Sequence, residues 1–372
     1  MISILFTGDF CPRKRIEQLV SAGNYENIYN DFLPHLQNND LNITNLECPL
    51  THKRDPIPKV GPDLFVGEDC IHALKYANFS LVTLSNNHIL DQGEAGLLST
   101  IELCKQNNID YVGAGKNPGE ASLPLIKEIK NKKFAFLNFS EHEFSTATDN
   151  KAGSNPLNPV KNYYDIRSVR GKADYLIVII HGGHEGYPLP SPRMVDTYRF
   201  FIDAGADMVL GHHSHCFSGY EKYEKGLIFY GLGNFIFDSE KDRNTDFNFG
   251  FALRLIFEDE KISSKIIPYK QCNENPGVFL LSNAERINFE SRIKELNNII
   301  GDQSLLLQEW KSFTKQMKKS YLVNFEPMNS WIFRFLRHRN LIPGFLSENR
   351  KRRMLNKIQC ESHRDVLIEC LK

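Results

Sequence analysis

Met208-Val209-Leu210-Gly211-His212-His213-Ser214-His215 is the stretch on which the reading of this chain turns. An apolar run that reads as a buried strand ends in glycine, and three of the next four residues are histidines. A buried imidazole needs a partner for its nitrogens, and neutral imidazole is the commonest metal ligand. His213 and His215, two positions apart on a turn, can aim two rings at one point. The same design recurs elsewhere in the chain. Asp9 follows the apolar run 2–7, Glu47 follows 41–46, Asn87 and His88 follow 79–84, and His181 follows 175–180. One histidine cluster is a hint. Polar groups at the ends of several strands are a site.

The spacing predicts an α/β fold. Tyr175-Leu176-Ile177-Val178-Ile179-Ile180 is apolar enough to be buried on both faces, as in a sheet covered by helices. Strands are expected at 109–112, 207–210 and 227–230. Two hairpins are expected, 124–129 with 133–138 across Lys130-Asn131-Lys132, and 250–257 with 262–269 across Glu258-Asp259-Glu260. Helices are expected over 69–77, 93–107 and 192–204, the last stopped by Gly205. Alternating strands and helices place sites at the carboxyl ends of strands, and the late strands suggest a mixed or layered sheet. After Gly277 the pattern changes to long helices, 283–300 and 302–320, followed by the aromatic stretch Trp331–Leu336. The chain therefore reads as a domain over 1–275 and a basic, helical extension over 276–372.

With 372 residues and 41% hydrophobic content the chain can bury a sizeable core. Lys and Arg total 45, as do Asp and Glu, so the whole chain carries no nucleic-acid signature. Basic residues concentrate from Lys311 onward. No basic leader followed by an apolar core opens the chain, and no run approaches the roughly 18 apolar residues of a membrane span. The eight cysteines (Cys11, Cys48, Cys70, Cys104, Cys216, Cys272, Cys360, Cys370) are scattered, as free thiols in a reducing compartment would be. The expectation is a cytoplasmic protein without a transmembrane segment.

Each candidate residue has a plainer alternative. Asp9 can cap a turn. A lone Glu47 can be solvated, but Pro49 forces an abrupt strand exit, and Glu47 opposite Asp9 can bridge two cations. Asn87 and Asp91 in Ser85–Gly93 can cap a helix. Asn87 also offers an amide oxygen, His88 a proton donor, and Asp91 a carboxylate that orients His88. His181-Gly182-Gly183-His184-Glu185 ends the most apolar strand, and its glycines permit close backbone approach. Asn234 and Asp238 in Gly231–Asp238 either support the site or belong to a glycine-rich bend. Asp, Glu, Asn and His together suit borderline divalent ions such as Mn, Fe, Zn or Co. Two such ions ~3.5–4 Å apart activate water and clamp a phosphoryl or carbonyl oxygen, while His88 protonates the leaving oxygen.

Taken in order, six segments of this chain resemble the CapA family of capsule and poly-γ-glutamate biosynthesis proteins, within the calcineurin-like metallophosphoesterase superfamily. They are Gly8-Asp9, Asn45-Leu46-Glu47-x-Pro49, Asn87-His88-x-x-Asp91-x-Gly93, His181-x-Gly183-x-Glu185, Gly211-His212-His213-x-His215 and Gly233-Asn234-Phe235-x-Phe237-Asp238. They cover residues 1 to about 270. The resemblance implies a four-layered α/β/β/α sandwich. It implies two divalent metal ions, Mn, Fe or Zn, with Asp9 and His215 on one, Asn87, His181 and His213 on the other, and Glu47 between them. His88, paired with Asp91, is the implied catalytic acid. Cys11, Glu185, His212, Asn234 and Asp238 are expected around these, supporting the ligands or facing substrate. Cys11 stands where the wider superfamily has a histidine, and Glu47 where it has Asp, so the first metal site is the altered one. The function implied is metal-dependent hydrolysis or transfer on a phosphoester or amide of a capsule or polymer precursor, beside other capsule-synthesis proteins. A non-catalytic assembly factor and a general phosphoesterase are the alternatives. The basic, aromatic extension suits a membrane surface or a partner, or simply packs on the main domain with solvated basic faces.

Overall fold

The structure is a computed structural model that describes residues 1–258, 261–326, 330–359 and 363. Asp259 and Glu260 of the second expected turn, and Cys360 and Cys370, lie outside the described residues.

Two sheets form the body. The eight-stranded sheet runs Val278–Leu280, Lys261–Gln271, Phe249–Glu258, Ile2–Cys11, Leu41–Leu46, Phe79–Thr83, Asp110–Val112, and Asn234–Phe237 also pairs with Ile2–Cys11. The six-stranded sheet runs Tyr220–Tyr223, Gly226–Phe229, Met208–His212, Tyr175–His181, Lys132–Ser140, Leu125–Ile129. Their inner faces meet through aromatic rings. Phe257 lies 4.8 Å from Phe134 and 4.6 Å from Tyr175 between ring centres. Helices Ile71–Tyr76 and Gly93–Gln106 pack on the first sheet, and Pro159–Arg170 and Pro192–Ala204 on the second. The layers are helix, sheet, sheet, helix, as the family resemblance implies.

Local chemistry explains the elements. Tyr175–His181 lies between two parallel neighbours, and all but its first residue are buried. Each fully buried Leu, Ile or Val there contributes roughly 1.5–3 kcal/mol, so a charged residue at Ile179 would break the strand. Asn158-Pro159 and Ser191-Pro192 start their helices alike: the capping side chain accepts from the backbone N–H of Lys161 or Met194, and proline fills the first helical position. Lys130 and Asn131 both have positive φ, 47° and 66°, which matches a two-residue hairpin turn to the twist of its strands. Helices Arg15–Ser21, Glu26–Tyr29, Leu33–Gln37 and Pro159–Arg170 were not expected.

Asn234–Phe237 is a strand rather than a bend, and it lies parallel to Ile2–Cys11 with Asn234 beside Asp9. The approach is close. A Cβ on Gly8 would sit 1.8 Å from the Gly233 carbonyl oxygen, which accepts from the Asp9 N–H at 3.1 Å.

The chain divides into two units, Met1–Leu306 and Leu307–Lys372. The first includes Asn283–Gly301, whose Phe289 packs on Phe217 and Phe251 and whose Asn297 side chain accepts from the Tyr220 N–H. The sequence reading draws its boundary before this helix. The second unit holds most of Gln303–Leu322, with Trp331–His338 and Glu348–Gln359. Among the described residues no helix is long and apolar enough to cross a membrane.

Candidate metal centre

Register brings the polar strand ends together. Asp9 is paired with Asn45 on one side and Asn234 on the other, and His181 with His212 in the second sheet. Glu47 lies two residues beyond Asn45, and Asn87 and His88 follow Phe79–Thr83. His213 and His215, just past Met208–His212, adopt positive φ of 90° and 54°. Non-glycine residues held in sparse backbone regions cost of order 1–3 kcal/mol each and gather at functional sites.

The contacts are short. His181 Nε2 lies 3.0 Å from Asn87 Oδ1, 3.0 Å from His213 Nδ1 and 3.5 Å from Glu47 Oε1. Asp9 Oδ1 is 2.9 Å from His212 Nδ1 and accepts from the Asn45 amide at 2.8 Å. His215 Nε2 lies 3.7 Å from Glu47 Oε1, while its Nδ1 lies 2.9 Å from Asn234 Oδ1. Two groups can each converge on one cation: Asp9, Glu47 and His215, and Glu47, His181 and His213. Glu47 belongs to both. It is fully buried, and neither carboxylate oxygen has a hydrogen-bond partner. An orphaned buried carboxylate is costly, so this donor set fits a divalent cation. Glu185, exposed, forms a further group with His213 and His215.

The electrostatics agree. Burial raises the Asp9 carboxyl, but the rings of His212, His181 and His215 outweigh it and hold it well below the usual range. Burial, then the charge of Asp9, pushes Glu47 far up. Burial, then His213, drives His181 far down. Burial and the neighbouring His215 bring His213 down to about 4. Histidines held neutral beside carboxylates are ready to ligate, since metal ligands must be deprotonated.

His88 is held apart from these contacts. Its Nδ1 lies 2.6 Å from Asp91 Oδ2, which also accepts from the Leu64 N–H at 2.6 Å. Asp91 Oδ1 accepts from Lys59 Nζ at 2.5 Å, and that ammonium also lies 3.2 Å from His88 Nδ1. The Lys59 side chain is 5% exposed. Burial, opposed by Asp91, lowers His88. Lys59 sits in a segment between Leu46 and Glu68 that contains neither helix nor strand and is fastened at Asp55 to Gln92, and at Ile57 and Leu64 to Asp91. Irregular spacing gives no sequence signal for such a lysine. Sequence reasoning quoted Asn45 within a matching segment but gave it no role, and it missed Glu143, whose carboxylate lies 3.9 Å from His213 Nε2.

Two expected residues point elsewhere. Asp238 is bonded to the Arg15 guanidinium, at 2.8 and 2.9 Å. Cys11 lies in the apolar cluster with Cys48 and Cys70. A cleft of about 580 Å³ opens beside His88 and His215, lined by Arg13, Leu64, Glu185, Phe237 and Phe247 among others. A larger cleft of about 900 Å³ is lined by residues between Leu98 and Lys127 and touches none of the candidate ligands.

Residues 3–239 match the model of the family described as bacterial capsule synthesis protein PGA_cap. The chain belongs to this capsule synthesis family. The capsule biosynthesis protein CapA of Bacillus anthracis is 30% identical over 254 residues, 66% of this chain and 62% of that protein. The PGA biosynthesis protein CapA of Bacillus subtilis strain 168 is 28% identical over 251 residues, 66% of each. The chain thus spans about two thirds of the length of these family members. A crystal structure of a hypothetical protein from Thermus thermophilus superposes with a TM-score of 0.46 at 16% identity, covering 72% of this chain and 99% of that one.

Proposed function

We propose that this protein is a metal-dependent hydrolase or transferase that acts on a phosphoester or amide bond in capsule or poly-γ-glutamate synthesis, through a site for two divalent ions. The observation that carries the reading is Glu47: buried, without a hydrogen-bond partner on either oxygen, and shared by both ligand groups. Asp9, Glu47 and His215 would hold one ion, and Glu47, Asn87, His181 and His213 the other. Mn, Fe or Zn suits these donors. Bound there, the ions supply Lewis-acid polarisation of the scissile phosphoryl or carbonyl oxygen.

The chain's own residues do the rest. Asn234 fixes the His215 ring by accepting at Nδ1, which leaves Nε2 toward Glu47. Asp91 accepts from His88 Nδ1 and so presents Nε2 as the proton-donating atom for the leaving group. Burial in the strand ends shields the ligands from bulk solvent, and the cleft beside His88 and His215 admits substrate and the water that hydrolysis consumes. The six described cysteines are unpaired and buried, which supports a reducing, cytoplasmic setting.

Metal analysis of purified protein, followed by a screen of phosphodiesters and amides with added Mn, tests the proposal. The wild type should retain divalent metal and cleave at least one class, and His213→Ala/His215→Ala should lose both. Metal-free wild type that folds like the double variant would overturn the metal site. A second reading, a non-catalytic assembly factor, draws on Cys11: it packs among apolar groups and supplies no ligand. Metal-replete protein inert toward every ester and amide would favour that reading.

A further inference from the structure

Charge is unevenly divided along the chain. From Leu307 to Lys372 there are 14 Lys and Arg against 6 Asp and Glu, in a protein whose totals are 45 and 45. The same unit exposes large apolar side chains. Along Trp331–His338, Trp331, Ile332 and Phe335 are 77%, 51% and 46% exposed, while Phe333 is buried against Phe345. At about 100° of rotation per residue, positions i, i+1 and i+4 fall within an arc of about 100°, so the three exposed residues form a broad stripe on the side away from Phe333.

Cations border and enter this stripe. Helical rotation puts Arg334 on one flank, while Arg339, the residue just past the helix, falls within the stripe. The Arg339 guanidinium lies 4.2 Å from the centre of the Phe335 ring. Arg350, Lys351, Arg352 and Arg353 extend the positive charge in Glu348–Gln359. An aromatic stripe with long-stemmed cations in and beside it matches the physics of a bilayer surface. Trp and Phe settle at headgroup depth, and Arg reaches lipid phosphates while its stem stays apolar. A bilayer needs only an apolar stripe and diffuse positive charge, not a shaped recess.

We infer that Trp331–His338 is an interfacial helix that docks this protein on an anionic bilayer surface. The inference is independent of the chemistry at the strand ends.

The chain has two tryptophans, Trp310 and Trp331, so Trp310→Phe in the full-length protein leaves Trp331 as the only indole reporter. With vesicles of phosphatidylcholine mixed with phosphatidylglycerol, at about 0.1 M salt where the Debye length is about 10 Å, its emission should shift to the blue. Brominated lipid should quench it, and the protein should co-sediment. Phosphatidylcholine alone should bind at least ~10-fold more weakly, and Arg334→Glu/Arg339→Glu should lose ~10-fold or more on the mixed vesicles. Trp331→Ser/Phe335→Ser should abolish binding with circular dichroism unchanged, because both side chains are exposed. Three results would overturn the inference. Wild type that shows neither a blue shift nor co-sedimentation ends it. Binding that survives loss of the aromatic pair assigns the attraction to charge alone. A concentration-dependent blue shift without vesicles, with a dimer in sedimentation velocity, assigns the stripe to a second copy.

Discussion

The strand-end cluster of the first unit and the Trp331–His338 helix of the second depart from the same burial rule in opposite directions. The first buries carboxylates and imidazoles, with Glu47 left without a partner. The second turns Trp331, Ile332 and Phe335 outward. Burying charge costs far more than exposing a ring, so the two departures carry different weight. The buried set is compatible with a bound cation, and the surrounding sheets hold it in place. The exposed stripe needs only a surface. The contrast teaches that a departure is informative in proportion to what it costs the fold.

The comparison can be broken at its costliest point first. His88→Asn should lower turnover of any cleaved ester by roughly 10²–10⁴-fold with metal content unchanged. Lys59→Met should give a smaller fall in kcat with KM held, read from steady-state kinetics. Loss of metal in either variant would merge His88 with the ligand set.

Acid should find the buried histidines next. His213 is held down to about 4 against an ordinary value of 6.5, so the unfolded chain takes up a proton there that the folded chain refuses. Stability of the metal-free protein is then full above about pH 6.5 and is lost as pH falls toward 4, by ~3 kcal/mol from this residue alone. His181 and His88, also lowered, add in the same direction. Glu47 has the opposite sign, since its raised carboxyl takes up a proton in the folded state first. Urea unfolding across this range checks the slope.

Glu47→Gln sharpens the comparison further. It removes the buried, unpartnered carboxyl, so metal-free protein should gain about 1–3 kcal/mol and its acid limb should steepen. Metal affinity should fall by more than the ~10–100-fold that outer partners of a metal site cost. Destabilised apo-protein with undiminished metal would remove Glu47 from the centre of the site. At the far end of the scale, Trp331→Ser should change unfolding free energy by under about 0.5 kcal/mol, as exposed substitutions do. A larger loss would mean the stripe is packed, and the contrast would fail.

Much of this was legible because strand ends are local. A strand-like run of three to six residues followed by Asp9, Glu47, Asn87, His181 or His213 can be read without knowing which strands are neighbours. The helix caps at Ser191-Pro192 and Gly205 are local as well. What stayed hidden depends on distance. Asp238 looks like a supporter of the site until Arg15, more than two hundred residues away, is found on its carboxylate. Cys11 lies two residues past Asp9, but an irregularity in the pairing after Asp9 means that simple alternation does not fix its side, and it packs with Cys48 and Cys70. Lys59 has no periodic neighbours to announce it. Asn234–Phe237 pairs with a strand at the opposite end of the domain's sequence, through a contact so close that only glycine fits at position 8.

Asp91 divides its two oxygens among three partners: His88 and the Leu64 N–H on one, Lys59 on the other. The segment that roofs His88 and the imidazole itself are therefore tied by a single knot. If that roof lifts far enough to free Lys59 and Leu64, Asp91 loses what holds it, and the ring it steadies is released with it. Under the proposed chemistry, opening by this route and an aligned His88 exclude one another, so a molecule caught with its roof raised is also one with that imidazole unset.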